Sequence, residues 1–208
     1  MFTGLVQGVG RIVEASRPTG WGAEGGLRLS IDASGIPGLQ IEAGDSVALA
    51  GACMTAIRVD GATFAVDISK ESLDRTTGLD KSGDVNVETS MRLGDKLGGH
   101  LLAGHVDGVG EVREISQVRE SWKLVVRVPP VLGRYLAYKG SIAINGVSLT
   151  VNQVSDSERG CEFAMNIIPH TYRATTLGAL RVGDRVNVEV DLIARYVERM
   201  LSLRHRSE

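Results

Sequence analysis

The chain has 208 residues, a formal net charge of -2 at pH 7, and a composition that is 43% hydrophobic but only 4% aromatic. Acidic and basic residues are interspersed, so the chain offers no electrostatic footprint for nucleic acid or an anionic membrane, and a small-molecule partner is favoured. We find no run of about eighteen apolar residues and no basic, apolar leader, and we expect a soluble, cytoplasmic protein. Two cysteines are too few for a disulfide framework, and neither has metal-ligand spacing to a histidine. We therefore expect reduced thiols and no metal site.

In chain order, the first predicted elements are short strands, because apolar and polar residues alternate between glycines, as at residues 47–50 and 63–68. About six such strands in fewer than a hundred residues, joined by tight turns, predict a small closed β-barrel, which removes unpaired sheet edges. The alternation lapses at residues 67–79 and again at 168–177. We expect a loop and a short helix at each of these places.

The strand pattern occurs twice because the chain contains an internal duplication. Cys53 in the first half stands opposite Ser148 in the second. The matching blocks, which keep their order, are residues 2–16 with 102–116, 46–59 with 141–154, 64–77 with 163–176, and 83–88 with 183–189. Two barrels in tandem are therefore predicted.

The last segment changes from strand to helix patterning, because apolar residues recur at intervals of three and four. It has no counterpart in the first half, and Asp191 is suited to cap its start. Its apolar face either docks on the barrels of its own chain or joins other copies, and the pattern favours neither. The predicted units are residues 1–97, 98–190 and 191–208.

Several ordered motifs resemble the riboflavin synthase family: residues 1–4 (MFTG), 51–55 (GACMT), 98–108 (GGHLLAGHVDG) and 146–151 (GVSLTV). The resemblance implies an all-β fold of two tandem six-stranded antiparallel Greek-key barrels plus a C-terminal α-helix. It also implies a homotrimer joined by the terminal helices, with active sites between the first barrel of one subunit and the second barrel of its neighbour. Association with a lumazine synthase is left open.

The activity that the resemblance implies is the dismutation of two molecules of 6,7-dimethyl-8-ribityllumazine. A four-carbon unit passes from one to the other, giving riboflavin and 5-amino-6-(D-ribitylamino)uracil without a cofactor. The competing interpretation is a non-catalytic lumazine- or flavin-binding antenna protein, which is similar over the same two barrels. A flavin reductase-type barrel is disfavoured, because no G-x-G-x-x-G fingerprint follows a strand and opens a helix.

The resemblance also implies catalytic residues. Cys53 is the leading candidate in the first barrel, where Ser46 would assist it, and Ser148 and Thr150 are the candidates in the second. His105 is suited to move protons near neutral pH. On their residue types alone, the cysteine would be interpreted as a small buried hydrophobe and the histidine as structural.

The resemblance divides the expected substrate contacts between two walls. The first-barrel wall consists of Gly4, Leu5, Val6, Cys53, Met54, Thr55, Asp67, Ile68, Ser69, Lys70, Glu71 and Ser72. The second-barrel wall consists of Gly104, His105, Val106, Ser148, Leu149, Thr150, Ile168, Pro169, His170, Thr171, Tyr172 and Arg173. Lys139 is a further candidate for a ribityl or ring contact across subunits, whereas His100 is a weaker candidate that is expected to be structural.

The two halves differ at two places near these residues. His105 stands opposite Leu5, so the two barrels present different side chains at equivalent places. This difference offers a way to distinguish the donor molecule from the acceptor molecule. Ala50 stands where the family has asparagine, a residue that the second half retains as Asn145. A lost side-chain hydrogen bond would weaken one site by about 0.5–1.5 kcal/mol.

Overall fold

A computed structural model describes residues 1–204 of the chain. Its strands are β1 (Gly8–Ser16), β2 (Leu27–Asp32), β3 (Ser46–Leu49), β4 (Ala52–Asp60), β5 (Thr63–Ile68), β6 (Gly83–Thr89), β7 (Gly108–Val118), β8 (Ser121–Val128), β9 (Ser141–Ile144), β10 (Val147–Ser157), β11 (Gly160–Ile167) and β12 (Arg185–Val190). Its helices are α1 (Lys70–Arg75), α2 (Pro130–Gly133), α3 (Pro169–Ala174) and α4 (Leu192–Arg204), with a 3-10 turn at Thr176–Ala179.

Each half closes into a six-stranded antiparallel barrel. The strands of the first barrel are hydrogen bonded in the order β1-β2-β5-β4-β3-β6. The strands of the second barrel have the equivalent order β7-β8-β11-β10-β9-β12. The equal strand order follows from the duplication, and it confirms the predicted fold class of two tandem barrels with a C-terminal helix. Helices α1 and α3 lie where the strand alternation lapses, whereas the single turn of α2 was not predicted.

Each barrel has its own apolar core, built by the alternation of its strands. Leu29 and Ile31 on β2 are fully buried in the first barrel, and Leu124 and Val126 on β8 are fully buried at the equivalent places in the second. Burying each such side chain contributes about 1.5–3 kcal/mol. The register of these strands is therefore fixed by which residues face inward.

The opening segment of each half crosses to the other barrel. Phe2 donates its amide to the carbonyl oxygen of Leu102 at 2.8 Å, and Leu102 returns the bond to Phe2 at 3.0 Å. Val6 then packs against the core of the second barrel and Val106 against the core of the first. We call residues 1–6 and 101–106 the crossing segments. These reciprocal contacts of the two crossing segments join the two barrels.

The terminal helix α4 follows β12 directly. The Asp191 carboxylate accepts the amide of Ile193 at 2.8 Å and so satisfies one of the free donors at the helix start. The side chains of Ile193 and Tyr196 are more than 60% exposed. Residues 205–208, which belong to the predicted terminal unit, lie outside the described residues. Within residues 1–204 no helix is long and apolar enough to span a bilayer.

Candidate functional site

Cys53 lies on β4, immediately after a tight turn, and contacts the crossing segment of the second half. Its amide donates to the carbonyl oxygen of Gly104 at 2.8 Å. Gly104 has a φ of 77°, and a Cβ added there would lie 2.5 Å from the Cβ of Cys53. Only glycine therefore allows this close approach at low cost. The thiol side chain is half-buried and packs against a small apolar cluster between the barrels, which includes Phe2 and Leu102.

A cavity of about 380 Å³ opens beside Cys53. Among the predicted residues, its walls contain Cys53, Glu71, Ser72, Gly104, His105 and Val106. Helix α1 supplies Glu71 and Ser72, and the crossing segment supplies the next three. The same walls contain three charged residues that the sequence did not single out: Arg75, Asp107 and Arg195.

Ser148 occupies the equivalent position on β10. Its amide donates to the carbonyl oxygen of Gly4 at 2.9 Å, and a Cβ on Gly4 would lie 2.5 Å from the Cβ of Ser148. The hydroxyl oxygen lies 2.7 Å from Nδ1 of His100. The site therefore holds a hydroxyl and an imidazole in direct contact, which is the arrangement that activates a serine as a nucleophile.

His100 is 9% exposed, and this burial lowers the pKa of its imidazole. A neutral imidazole can accept the proton of the Ser148 hydroxyl, whereas a charged one cannot. Its Nε2 atom is buried without a hydrogen-bond partner among residues 1–204. The sequence interpretation of His100 as structural missed this contact. The available signal was its place in the GGHLLAGH motif that carries the resemblance.

The structure corrects the grouping of the two walls. Gly4 lies against Ser148 of the second barrel, and Gly104 lies against Cys53 of the first, so the two crossing segments exchange places relative to the expected grouping. The physical reason is the pairing of Phe2 with Leu102, which turns each segment onto the opposite barrel. Each site is therefore built from both halves of one chain.

Two buried glutamates, which the sequence did not single out as functional, hold the crossing segments. Glu88 on β6 accepts the amide and the hydroxyl of Thr3, both at 2.7 Å, as well as the amide of Gly4 at 3.1 Å. Glu189 on β12 accepts the amides of Ala103 and Gly104 at 2.8 and 3.2 Å. Burial raises the pKa of both carboxyl groups. The repeated Asn-Val-Glu triplet in the sequence was the available signal.

The environments of these two carboxylates differ in one hydrogen-bond donor, the hydroxyl of Thr3. Ala103 stands where the first half has Thr3 and therefore supplies no hydroxyl. One oxygen of Glu189 is left buried without a hydrogen-bond partner in the described part of the chain. The segment that leads to His105 consequently lacks the side-chain hydrogen bond that Thr3 makes in its counterpart.

The structure places several other predicted residues within the first barrel or on its helix. Ser69 caps α1 by accepting the amide of Ser72 at 3.0 Å, and Lys70 pairs with Asp74 on the same helix. Asp67 forms an ion pair of 2.7 Å with Arg28 on the neighbouring strand. The predicted residues Met54 and Ile68 are buried in the first core. Each of these five residues therefore has a contact that stabilises the first barrel or its helix.

Ser46 and Thr55 lie opposite each other on β3 and β4. The remaining predicted residues belong to the second half of the chain. Leu149 is buried in the second core and Thr150 is exposed on β10. Tyr172 stacks on Trp122 with ring centroids 3.8 Å apart, on a helix that starts after Ile168 and contains Pro169, His170, Thr171 and Arg173. The exposed Lys139 donates to Asn152 at 2.9 Å.

The described residues contain no group of three or more His, Cys, Asp or Glu side chains placed to hold a metal ion. The side chains brought together beside Cys53 and Ser148 are a thiol, hydroxyls, imidazoles, guanidinium groups and the carboxylates of Glu71 and Asp107. Such groups can add to an electron-poor carbon, move protons, and stabilise negative charge that develops on a ring. The chemistry available is therefore acid–base and nucleophilic.

Comparison with known proteins identifies the domain that the chain contains twice. Residues 3–90 and 103–191 each match the lumazine binding domain. Among solved structures, LumP complexed with riboflavin is similar with a TM-score of 0.77 and 28% identity, covering 91% of this chain and 99% of that one. LumP complexed with 6,7-dimethyl-8-(1'-D-ribityl) lumazine has a TM-score of 0.74 at the same identity and coverage.

Curated relatives are similar over almost the whole chain. Riboflavin synthase of Photobacterium phosphoreum is 39% identical over 203 residues, which is 97% of this chain and 89% of that protein. Riboflavin synthase of Mycobacterium tuberculosis (strain ATCC 25618 / H37Rv) is 38% identical over 212 residues, 97% of this chain and 98% of that protein. The duplicated domain match and the full-length similarity together establish that the chain belongs to the riboflavin synthase family.

Proposed function

We propose that the chain converts two molecules of 6,7-dimethyl-8-ribityllumazine into riboflavin and 5-amino-6-(D-ribitylamino)uracil, with no added cofactor. The observation that carries the proposal is the pair of equivalent contacts at Cys53 and Ser148. In each, a side chain capable of nucleophilic attack lies beside a crossing glycine from the other half. Two related sites suit a reaction in which one compound is both donor and acceptor.

Binding both substrates beforehand accounts for a large part of the catalysis. An encounter between two dilute molecules becomes a reaction within one complex, and good orientation lowers such a barrier by about 7–11 kcal/mol. The methyl group at C7 of the lumazine is acidic, because its carbanion is delocalised into an electron-poor ring. The substrate thereby supplies the electron sink that a cofactor supplies in other enzymes.

The chain then supplies groups for attack and for proton transfer. Cys53, half-buried in the wall of the cavity, is our candidate for addition to one lumazine, and His105 in the same wall is a candidate to move its protons. Ser148, in contact with the neutral imidazole of His100, is the candidate at the other site. Ser46 and Thr150 remain assisting candidates by resemblance.

A non-catalytic antenna protein is the second candidate function, since the two LumP structures hold a lumazine and riboflavin. Two observations favour the enzyme. The curated relatives with 35–39% identity are named riboflavin synthases, and the hydrogen-bonded pair of His100 and Ser148 is an arrangement suited to proton transfer.

A homotrimer joined by the terminal helices belongs to the same proposal. Support comes from α4, where Ile193, Tyr196 and Met200 are between 62 and 67% exposed. Association with lumazine synthase, a cytoplasmic location and the units 1–97, 98–190 and 191–208 are further parts of it. The free thiols of the chain suit a reducing compartment.

The test is to incubate ligand-stripped protein with 6,7-dimethyl-8-ribityllumazine alone and to follow the absorbance and fluorescence of riboflavin against a protein-free control. Continuous formation of riboflavin over many turnovers is the expected result. Tight binding with a shifted fluorescence spectrum and no riboflavin would identify an antenna protein instead.

A further inference from the structure

Helix α4 reaches the Cys53 cavity through one side chain, Arg195. Its Nη2 atom lies 2.9 Å from Oδ2 and 2.8 Å from Oδ1 of Asp107. Both residues lie in the wall of the same cavity as Cys53 and His105. The side chain of Asp107 is only 12% exposed, so solvent and salt screen this ion pair less than an ion pair on the open surface.

Asp107 joins three elements of the second half. It follows the crossing segment directly, two residues after His105. Its amide donates to the carbonyl oxygen of Val188, and its carboxylate accepts the amide of Val190, both at 2.8 Å. Arg195 adds the terminal helix to this junction. The position of the segment that carries His105 is therefore coupled to α4 through a single carboxylate.

In the first half, the position equivalent to Asp107 carries an uncharged side chain. Gln7 stands opposite Asp107 in the duplication, and its side-chain oxygen accepts the amide and the hydroxyl of Thr89 at 2.7 and 3.0 Å. A neutral side chain is thus sufficient to close the end of the last strand of a barrel. The ion pair of Asp107 with Arg195 occurs only in the half whose crossing segment forms the wall beside Cys53.

We propose that Arg195 is a positioning residue of the Cys53 site. By holding Asp107, it fixes the crossing segment that places Gly104 over Cys53 and His105 in the cavity wall. The C-terminal helix is then a component of this site within its own chain, whatever other contacts the helix makes. The kinetic part of this inference rests on the proposed function.

The chain offers a matched control, because α4 is tied to the second barrel by another ion pair. Nη1 of Arg134 lies 2.9 Å from Oε1 of Glu198, about one helical turn beyond Arg195. Neither partner lies in the wall of the Cys53 cavity. Arg134→Ala loosens the docking of the helix without touching the junction at Asp107.

The first readout is steady-state kinetics with 6,7-dimethyl-8-ribityllumazine. We expect Arg195→Ala to lower kcat about tenfold or more while KM changes less than about threefold, because a small displacement of the wall costs orientation more than affinity. Arg195→Lys keeps a cation near Asp107 and is expected to restore most of kcat. Arg134→Ala is expected to keep the wild-type kcat, and light scattering checks that all variants have the same mass.

The second readout does not depend on turnover. Iodoacetamide modification of Cys53, followed by mass spectrometry of its peptide, measures how firmly Gly104 is held against the backbone and Cβ of Cys53. We expect Arg195→Ala to be modified several-fold faster, because a loosened segment opens more often, while Arg134→Ala matches the wild type. Cys161 serves as an internal reference, since it is fully buried and burial raises the pKa of its thiol to about 12.

Wild-type kcat and wild-type modification rate in Arg195→Ala would overturn the inference. An equal effect of Arg134→Ala would overturn it too, because general docking of the helix would then be responsible. Failure of the proposed function is distinguishable: the wild-type protein would form no riboflavin, and the modification rates would still decide whether Arg195 holds the segment over Cys53.

Discussion

The amide of Cys53 donates a hydrogen bond of 2.8 Å to the carbonyl oxygen of Gly104, which joins the first barrel to the opening segment of the second half. The amide of Ser148 donates in the same way to Gly4 at 2.9 Å. Because the two contacts are equivalent under the duplication, each site depends on both halves of the chain. Changes at the crossing glycines should consequently affect stability and activity together.

Gly104→Ala should destabilise the protein more than a glycine substitution with the same backbone strain elsewhere. Gly78 is the matched control, because its φ of 78° equals that of Gly104 within 1° and a Cβ there would meet nothing within 4 Å. Both variants lose about 1–2 kcal/mol to the left-handed conformation. Crowding against Cys53 should cost Gly104→Ala about a further 1–3 kcal/mol. Equal urea midpoints for the two variants would contradict this.

Ala50→Asn should stabilise the protein by about 1 kcal/mol. Ala50 and Asn145 occupy equivalent turns with φ of 45° and 46°, a conformation that asparagine tolerates better than alanine. The side chain of Asn145 accepts the amide of Asn187 at 2.8 Å, and the new asparagine would offer the same acceptor to Asn86. Denaturant unfolding measures the gain, with Asn145→Ala as the variant expected to lose a similar amount. A less stable Ala50→Asn protein would show that the first turn has no room for the amide.

Glu189 should make the stability of the protein depend on pH. Burial raises the pKa of this carboxyl group above its value in the unfolded chain, so the folded state binds the proton more tightly. The contribution of Glu189 to stability is therefore fully present below the unfolded pKa and is lost as the pH rises through the folded pKa. Relative to Glu189→Gln, the wild-type protein should lose stability as the pH rises above the ordinary pKa of 4.5.

Urea midpoints of both proteins across this range provide the measurement for Glu189. Ala103→Thr is a control that tests the cause, because it supplies the hydroxyl that Thr3 gives to Glu88 in the first half. It should reduce the pH dependence by stabilising the ionised carboxylate. A stability difference between wild type and Glu189→Gln that stays constant with pH would rule out titration of this group.

His100 and Ser148 should act as one unit. Removing a general base or its nucleophile costs about 100-fold or more in rate, and the two side chains share one hydrogen bond. His100→Ala and Ser148→Ala should each lower kcat by such a factor, and the double variant should be little worse than the poorer single variant. Steady-state kinetics on the three proteins tests this. Effects that multiply in the double variant would show independent roles.

Much of the fold could be predicted from sequence because the signals are local. The alternation on strands such as β2 and β8 and the equivalence of Cys53 with Ser148 are visible in the duplicated blocks, and they gave the tandem barrels correctly. The exchange of the crossing segments could not be predicted, because the pairing of Phe2 with Leu102 joins residues far apart in the chain and leaves no periodic trace.

The same limit explains the residues that were missed. Glu189 alternates with valines like a solvent-facing strand residue, and it is buried only because a distant segment covers it. The GGHLLAGH motif marks His100 as a residue of interest, but nothing in the motif indicates which side chain His100 contacts. Arg195 reads as one charge on an amphipathic helix, since its ion pair with Asp107 depends on how that helix docks.

The measurement that tests the central claim most directly is the stoichiometry of the reaction with a single substrate. Ligand-stripped protein is mixed with 6,7-dimethyl-8-ribityllumazine and nothing else, and chromatography quantifies substrate and products over time. We predict that two lumazines disappear for each riboflavin formed, with one 5-amino-6-(D-ribitylamino)uracil released. Lumazine that is bound but recovered chemically unchanged would contradict the claim.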